Sequence, residues 1–553
     1  MPNRYFAELA GGGGSPEALA LLERGERARR LLLLRTLLAK LAALPTPLSP
    51  PAEAWRTLRD TAAEAPDPVE RLLLAPQTGS WLAHTLRRLH DSAGGPPLWT
   101  ETGHLCTLAV TAALRAGTRA DLLVPLTDGA LHLPGLGTAW LSGAGPGPTV
   151  GRAQAERGEL TLTSSTVDTA TLTCRPTLVP AAEELAPAVG ASHWIPLRAL
   201  VYTGPSGTAI IPLDDLDPYR DLDEPVPAAR LDADEAAAWQ EMFEEAAAFL
   251  SRPEPGPGRL DPGMVRTVVP WGRTSVNPPP PSDVRVSATS GDSFGAMVIA
   301  RPGSSLALAE TLVHEFQHSK LAALLHLFPL LDDDRAERYY APWRADPRHL
   351  TGLLHGAYAF TGVAGFWRDR LAEARDNRPA EEAGYHFALR RLQSRLVVRT
   401  LLTSGRLTVQ GRALVTGLAR TLDGWLREPV PQAALRRART AAALHRTEWR
   451  LRNVLPRSGS EPPRFRPDRT SWPDLRTHAF ATGPAVPRTA DEYLAAGHPA
   501  AALARYGDAL VGDPAEPHRL AGWIVARAAL EPGRAARRML ARPELLQPSP
   551  SDC

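Results

Sequence analysis

The chain has 553 residues, 44% hydrophobic and 22% charged, with 62 Lys and Arg against 60 Asp and Glu. That length favours two to four packed units over one core, and the near-neutral balance argues against a basic nucleic-acid binder or a protein drawn to anionic membranes. Cys106, Cys174 and Cys553 are too few and too scattered for a disulfide framework or a zinc ribbon. With no apolar run of about 18 residues and no secretion-signal layout in Met1-Pro-Asn-Arg-Tyr-Phe, a cytoplasmic location is expected.

Residues 1–120 read as an N-terminal helical region, with apolar residues at helical spacing from Glu17 to Leu34 and again over 51–74 and 103–116. From 121 to 252 the texture turns to short β-prone pieces such as Leu160-Thr-Leu-Thr and Thr171-Leu-Thr-Cys, which predict a small sheet, followed by an amphipathic helix over 234–250. Residues 253–283, with Pro278-Pro-Pro-Pro, read as a stiff connector. The region 284–455 opens with two strand-like pieces, Val284-Arg-Val-Ser-Ala-Thr-Ser and Gly295-Ala-Met-Val-Ile-Ala, expected to form a hairpin around Gly291-Asp-Ser-Phe. A helix from Ala307 to Leu327 follows, then helical segments near 379–403, 407–427 and 431–454. Residues 456–488 read as a loop-rich linker, and 489–553 as a helical, tetratricopeptide-like hairpin, one such unit at most.

Within the first of those helices lies Leu312-Val-His-Glu-Phe-Gln-His-Ser-Lys320, an HExxH pattern. Four residues advance a helix by about one turn, so His314 and His318 leave the same face and can share one ion. Neutral imidazoles suit Zn(II) or Fe(II). Glu315, about 100° around the helix, borders that ion as the acid/base or positioning group. A third ligand is needed. His326 lies about 18 Å along the axis from His314 and is excluded; His355, opening another apolar helix, is the favoured third metal ligand, with His349, the Asp332-Asp-Asp cluster and Glu337 behind it. Arg344 and Arg348, in Tyr339-Tyr-Ala-Pro-Trp-Arg-Ala-Asp-Pro-Arg348, offer guanidinium forks for the carboxylate of a cosubstrate. Lys320 is expected to face away from the metal. A peptide substrate is expected to add along the edge of the strand at 295–300.

The segments Thr311-Leu-Val-His-Glu-Phe-Gln-His-Ser-Lys-Leu, Tyr340-Ala-Pro-Trp-Arg-Ala-Asp-Pro-Arg, Leu354-His-Gly-Ala-Tyr-Ala-Phe and His445-Arg-Thr-Glu-Trp-Arg-Leu-Arg-Asn together resemble the HExxH-domain peptide-modifying proteins encoded beside short precursor peptides and radical enzymes. The likeness spans about residues 5 to 455 and includes Leu9-Ala-Gly-Gly-Gly-Gly. It implies an Fe(II)- and 2-oxoglutarate-dependent dioxygenase that β-hydroxylates side chains of a ribosomally synthesised precursor peptide, with His314 and His318 as iron ligands. A radical-SAM enzyme stands as a further candidate partner. The expected fold is α+β and mostly helical, with a zincin-like HExxH core next to a small antiparallel sheet and helical N- and C-terminal regions. The alternatives are a zinc metallopeptidase processing such a peptide, with Glu315 as general base, or a metal-free scaffold that recruits partners through its terminal helices.

Overall fold

The computed structural model describes residues 1–164, 170–183, 191–205, 207–222, 224–251, 256–272, 286–332, 337–456, 464–466, 480–481, 483–484 and 486–547. The chain divides into two compact units. One comprises Pro16–Pro255 with Leu260–Leu327; the other comprises Met1–Ser15, Gly256–Arg259 and Phe328–Cys553. The fold is α+β and mostly helical. No helix among the described residues is long and apolar enough to cross a membrane.

The unit containing Pro16–Pro255 begins with the predicted helices, Pro16–Leu41, Pro51–Glu64, Pro66–Leu73, Pro76–Leu89 and His104–Ala116. Four of these five start at proline, whose fixed φ and missing N–H suit a first helical turn. They share a core with a seven-stranded antiparallel sheet running, in spatial order, Thr171–Cys174, Glu159–Ser164, Pro148–Glu156, Ala120–Thr127, Ala130–Leu133, Gly137–Trp140 and His193–Pro196. Strands Ala120–Thr127 and Ala130–Leu133 are joined by Asp128-Gly129, both at positive φ (51° and 77°), the two-residue turn that Asp-Gly favours because its twist matches the flanking strands.

A second sheet of six strands is mixed. Its order is Ser287–Ala288, Ala296–Ile299, Thr267–Pro270, Gly207–Leu213, Arg198–Gly204 and Val179–Pro180. Ser287–Ala288 is antiparallel to Ala296–Ile299, which forms the expected hairpin with the turn at Gly291–Phe294; Val284 and Arg285 lie outside the described residues. Within the stretch read as a connector, Thr267–Pro270 is a strand, parallel to both of its neighbours and buried at all four residues. A strand covered on both faces shows no polar alternation, and four apolar residues among prolines carry no other signal. Pro278-Pro-Pro-Pro lies outside the described residues.

The other unit is helical: Leu350–Glu373, Asn377–Thr403, Val409–Trp425 and Gln432–Asn453, close to the predicted bounds, then Ala490–Ala495, Pro499–Leu510, Pro517–Leu530 and Arg534–Ala541. The tail helices share one core with Asn377–Thr403 and Gln432–Asn453, through Tyr385, Leu444, Leu494 and Ile524. Nearly all of the predicted 456–488 linker lies outside the described residues.

Candidate metal centre on the HExxH helix

Helix Ser305–Leu327 starts where the Ser304 hydroxyl accepts the Ala307 N–H (3.3 Å), satisfying a donor the first turn leaves open, and stops before Pro329. Leu308, Leu312, Phe316, Leu321 and Leu324 are buried, each contributing about 1.5–3 kcal/mol of transfer free energy. Their burial fixes the rotation of the helix. It packs against Pro16–Leu41, Ala233–Leu250 and the hairpin strands.

This rotation places the Nε2 atoms of His314 and His318 3.1 Å apart, with ring centroids separated by 4.7 Å and planes at 81°. With ligand bonds of about 2.1 Å, a separation of 3.1 Å corresponds to an angle of about 95° at a shared ion. This lies between octahedral and tetrahedral values, so the donor pair fits Fe(II) or Zn(II). Burial drives the His318 imidazole down to about 4, leaving it neutral as a ligand must be. One ring donating to the other also satisfies the pair by itself.

Glu315 is buried, 1% exposed. Its carboxylate accepts the Ser287 hydroxyl (2.7 Å) and the Thr289 hydroxyl (2.6 Å), one on each oxygen. Burial raises its proton affinity against the two hydrogen bonds, which lower it. Sequence reading passed over Ser287 and Thr289, although alternation in Val286-Ser-Ala-Thr-Ser put both on one face of a strand, two residues apart. The hairpin that carries them is anchored at its turn. Asp292 pairs with Arg29 (2.5 Å) and Arg87 (3.6 Å), and its carbonyl lies so close to Gly79 that a Cβ there would come within 2.0 Å.

Strand Ala296–Ile299, expected to offer an edge to a peptide, has a neighbour on each side; the sheet ends at Ser287–Ala288. His326, excluded by distance, bonds Glu26 through Nδ1 (2.7 Å). Lys320 is buried, with its ammonium 5.8 Å from the centre of the Phe316 ring.

The remaining predicted residues belong to the other unit. His355 lies half-buried on helix Leu350–Glu373. His349 caps that helix, its Nδ1 accepting the Gly352 N–H (3.4 Å). Glu337 meets Tyr339 and Arg406. Of the Asp332-Asp-Asp cluster, only Asp332 is among the described residues. Arg344 and Arg348 share Asp346, each through Nε, at 2.7 and 2.8 Å.

Their loop is held rigidly. Gln393 and Asn453 donate to the carbonyls of Pro342 (2.6 Å) and Ala345 (2.8 Å), and the Tyr340 hydroxyl meets His445 Nδ1 at 2.9 Å. The Trp343 indole lies on Gly356, where a Cβ would come within 2.1 Å of it, so the loop rests beside the His355 turn. Thus three of the four segments that carried the family resemblance meet in this unit. Among the described residues, no cluster of three or more His, Cys, Asp or Glu side chains is placed to hold a metal ion. No protein-family model matches the chain, and no curated protein is significantly similar to it.

Proposed function

We propose that the chain is an Fe(II)- and 2-oxoglutarate-dependent hydroxylase acting at Cβ of side chains in a short ribosomal precursor peptide, with the HExxH helix as its metal site. The observation that carries this reading is the pair of imidazole Nε2 atoms, 3.1 Å apart on one half-buried helix face. His314 and His318 would hold the iron. The bound iron and 2-oxoglutarate would supply the oxidising power needed at an unactivated C–H bond. Arg344 and Arg348 keep guanidinium nitrogens not committed to Asp346, suited to a carboxylate ligand, on a loop whose rigidity lowers the cost of ordering it.

Glu315 supports a hydroxylase over a peptidase. Two hydroxyls of the hairpin already occupy its carboxylate, which suits a group that fixes strand to helix rather than one turned toward an attacking water. A zinc metallopeptidase is the second reading, favoured by the raised proton affinity of Glu315, a property of a general base.

The test is co-expression with any short precursor peptide whose gene adjoins that of this chain. A mass gain of about 16 Da that needs iron and 2-oxoglutarate supports hydroxylation, and backbone cleavage with zinc supports the second reading. A protein that purifies with no more metal than its His318→Ala variant overturns both, leaving the scaffold.

A further inference from the structure

Away from the HExxH helix, the unit containing Pro16–Pro255 holds a partly open cavity of about 430 Å³, a volume suited to a small organic ligand. Glu101 and His104 reach it from the helices Leu98–Thr102 and His104–Ala116, His132 and Trp140 from neighbouring strands, Asp128 from the Asp-Gly turn and Tyr219 from the loop after Gly207–Leu213. His104 is 5% exposed and its Nε2 has no hydrogen-bond partner. Leaving a buried polar atom unmatched costs about 1–3 kcal/mol, which a ligand would recover.

The chemistry of the lining selects the ligand. Its charged side chains are the carboxylates of Glu101 and Asp128, and no Lys or Arg is among the described lining residues. Glu101 is fixed from behind by His84 (3.0 Å) and by the Arg88 guanidinium (2.8 Å), which offsets part of its charge, while each carboxylate oxygen keeps a further lone pair. Arg220, behind the wall, is committed to the carbonyls of Asp217 and Val226 at 2.7 and 3.4 Å and of Pro227 at 2.6 Å. Burial drives His104 down to about 3, helped by His132, and drives His132 down to about 4, helped by Arg220, so both rings stay neutral. The Trp140 indole is oriented by its N–H bond to the Asp128 carbonyl (3.0 Å), and the Tyr219 ring meets His104 edge-on at 5.0 Å.

From this lining we infer that the cavity is a binding site for an organic cation, an amine or guanidinium on an apolar stem. Its N–H groups would be accepted by His104 Nε2, Glu101 and Asp128, and its charge would sit against the Tyr219 and Trp140 rings. The site is independent of the metal reading. A free amine and a basic peptide side chain present the same chemistry.

Calorimetric titration of the full chain with benzylamine, benzyl alcohol and benzoate varies the charge at nearly constant shape. Benzylamine is expected to bind at least about tenfold tighter than benzyl alcohol, with benzoate weakest. Asp128→Asn, which tolerates the positive φ of the turn, is expected to weaken benzylamine about three- to tenfold without lowering the melting temperature, and His104→Phe to abolish binding. Binding must persist in His318→Ala. Agmatine binding tighter than acetyl-Ala-Arg-Ala-amide identifies a free amine as the ligand; the reverse identifies a peptide side chain. Benzoate binding as well as benzylamine, or no cation binding below about 10 mM, overturns the inference.

Discussion

His318 and His518 are both half-buried, yet burial and pairing push them in opposite directions. Burial lowers His318 to about 4. His518 is bonded by Asp491 (Nε2, 3.0 Å) and Glu448 (Nδ1, 2.9 Å), and these carboxylates lift it to about 10. The first ring keeps a lone pair that an ion can use. The second has both nitrogens protonated and donating, so it ties helices Gln432–Asn453, Ala490–Ala495 and Pro517–Leu530 together and cannot ligate. A histidine flanked by two acids is thus the structural one here, and the His314–His318 pair is the candidate centre.

The largest expected effect breaks the first half of this contrast. His318→Ala should lose bound iron and reduce peptide hydroxylation by about a thousandfold or more, while far-UV circular dichroism stays native; atomic absorption and mass spectrometry check this. Next, Arg348→Lys, which keeps the charge but loses the fork, should raise KM for 2-oxoglutarate about tenfold with kcat little changed. Glu315→Gln sharpens the assignment of roles. A positioning carboxylate predicts a loss below about tenfold in kcat, because one of the Ser287 and Thr289 hydroxyls can turn to accept from the amide nitrogen while the other still donates to the amide oxygen; a general base predicts a loss of about 10²–10⁴.

The smallest effect concerns His518. Because its folded value is raised, its stabilisation is complete below the ordinary value of 6.5 and is lost as pH rises through about 10. Burial works to raise Glu448 and Asp491, but His518, joined by Arg452 at Glu448 and by Tyr506 at Asp491, outweighs it and holds both below their ordinary 4.5 and 3.8. Their contribution is therefore present above those values and is lost as pH falls further. His518→Gln should cost about 1 kcal/mol near neutrality, after discounting for solvent at this 35% exposed side chain, and flatten the alkaline limb of a melting-temperature profile.

Long periodic helices were legible in the sequence because one face of each is buried: Asn377–Thr403, Val409–Trp425 and Gln432–Asn453 lie within a few residues of their expected bounds. The HExxH helix was legible for the same reason, and the one-turn spacing of its histidines carries directly into three dimensions. Strand Thr267–Pro270 was hidden, since burial on both faces erases the alternation that marks a strand. The partners of Glu315 were hidden for another reason. Nothing in the hairpin's own sequence says which of its hydroxyls will reach the helix that follows; only the pairing of Ser287 with Ile299 fixes that register.

The helix that carries the two histidines rests on Pro16–Leu41, and Arg29 from that same early helix grips the Asp292 turn. At ribosomal elongation rates of about 5–20 residues per second, the early helix emerges roughly 15–50 seconds before its partner is synthesised. Through that interval the surface that later meets the HExxH helix, around Gly25, which comes to lie against Leu327, and Glu26, which comes to bond His326, waits without its partner. Synonymous codon changes that slow translation between residues 42 and 304 would lengthen this exposure and lower soluble yield while leaving every side chain in place.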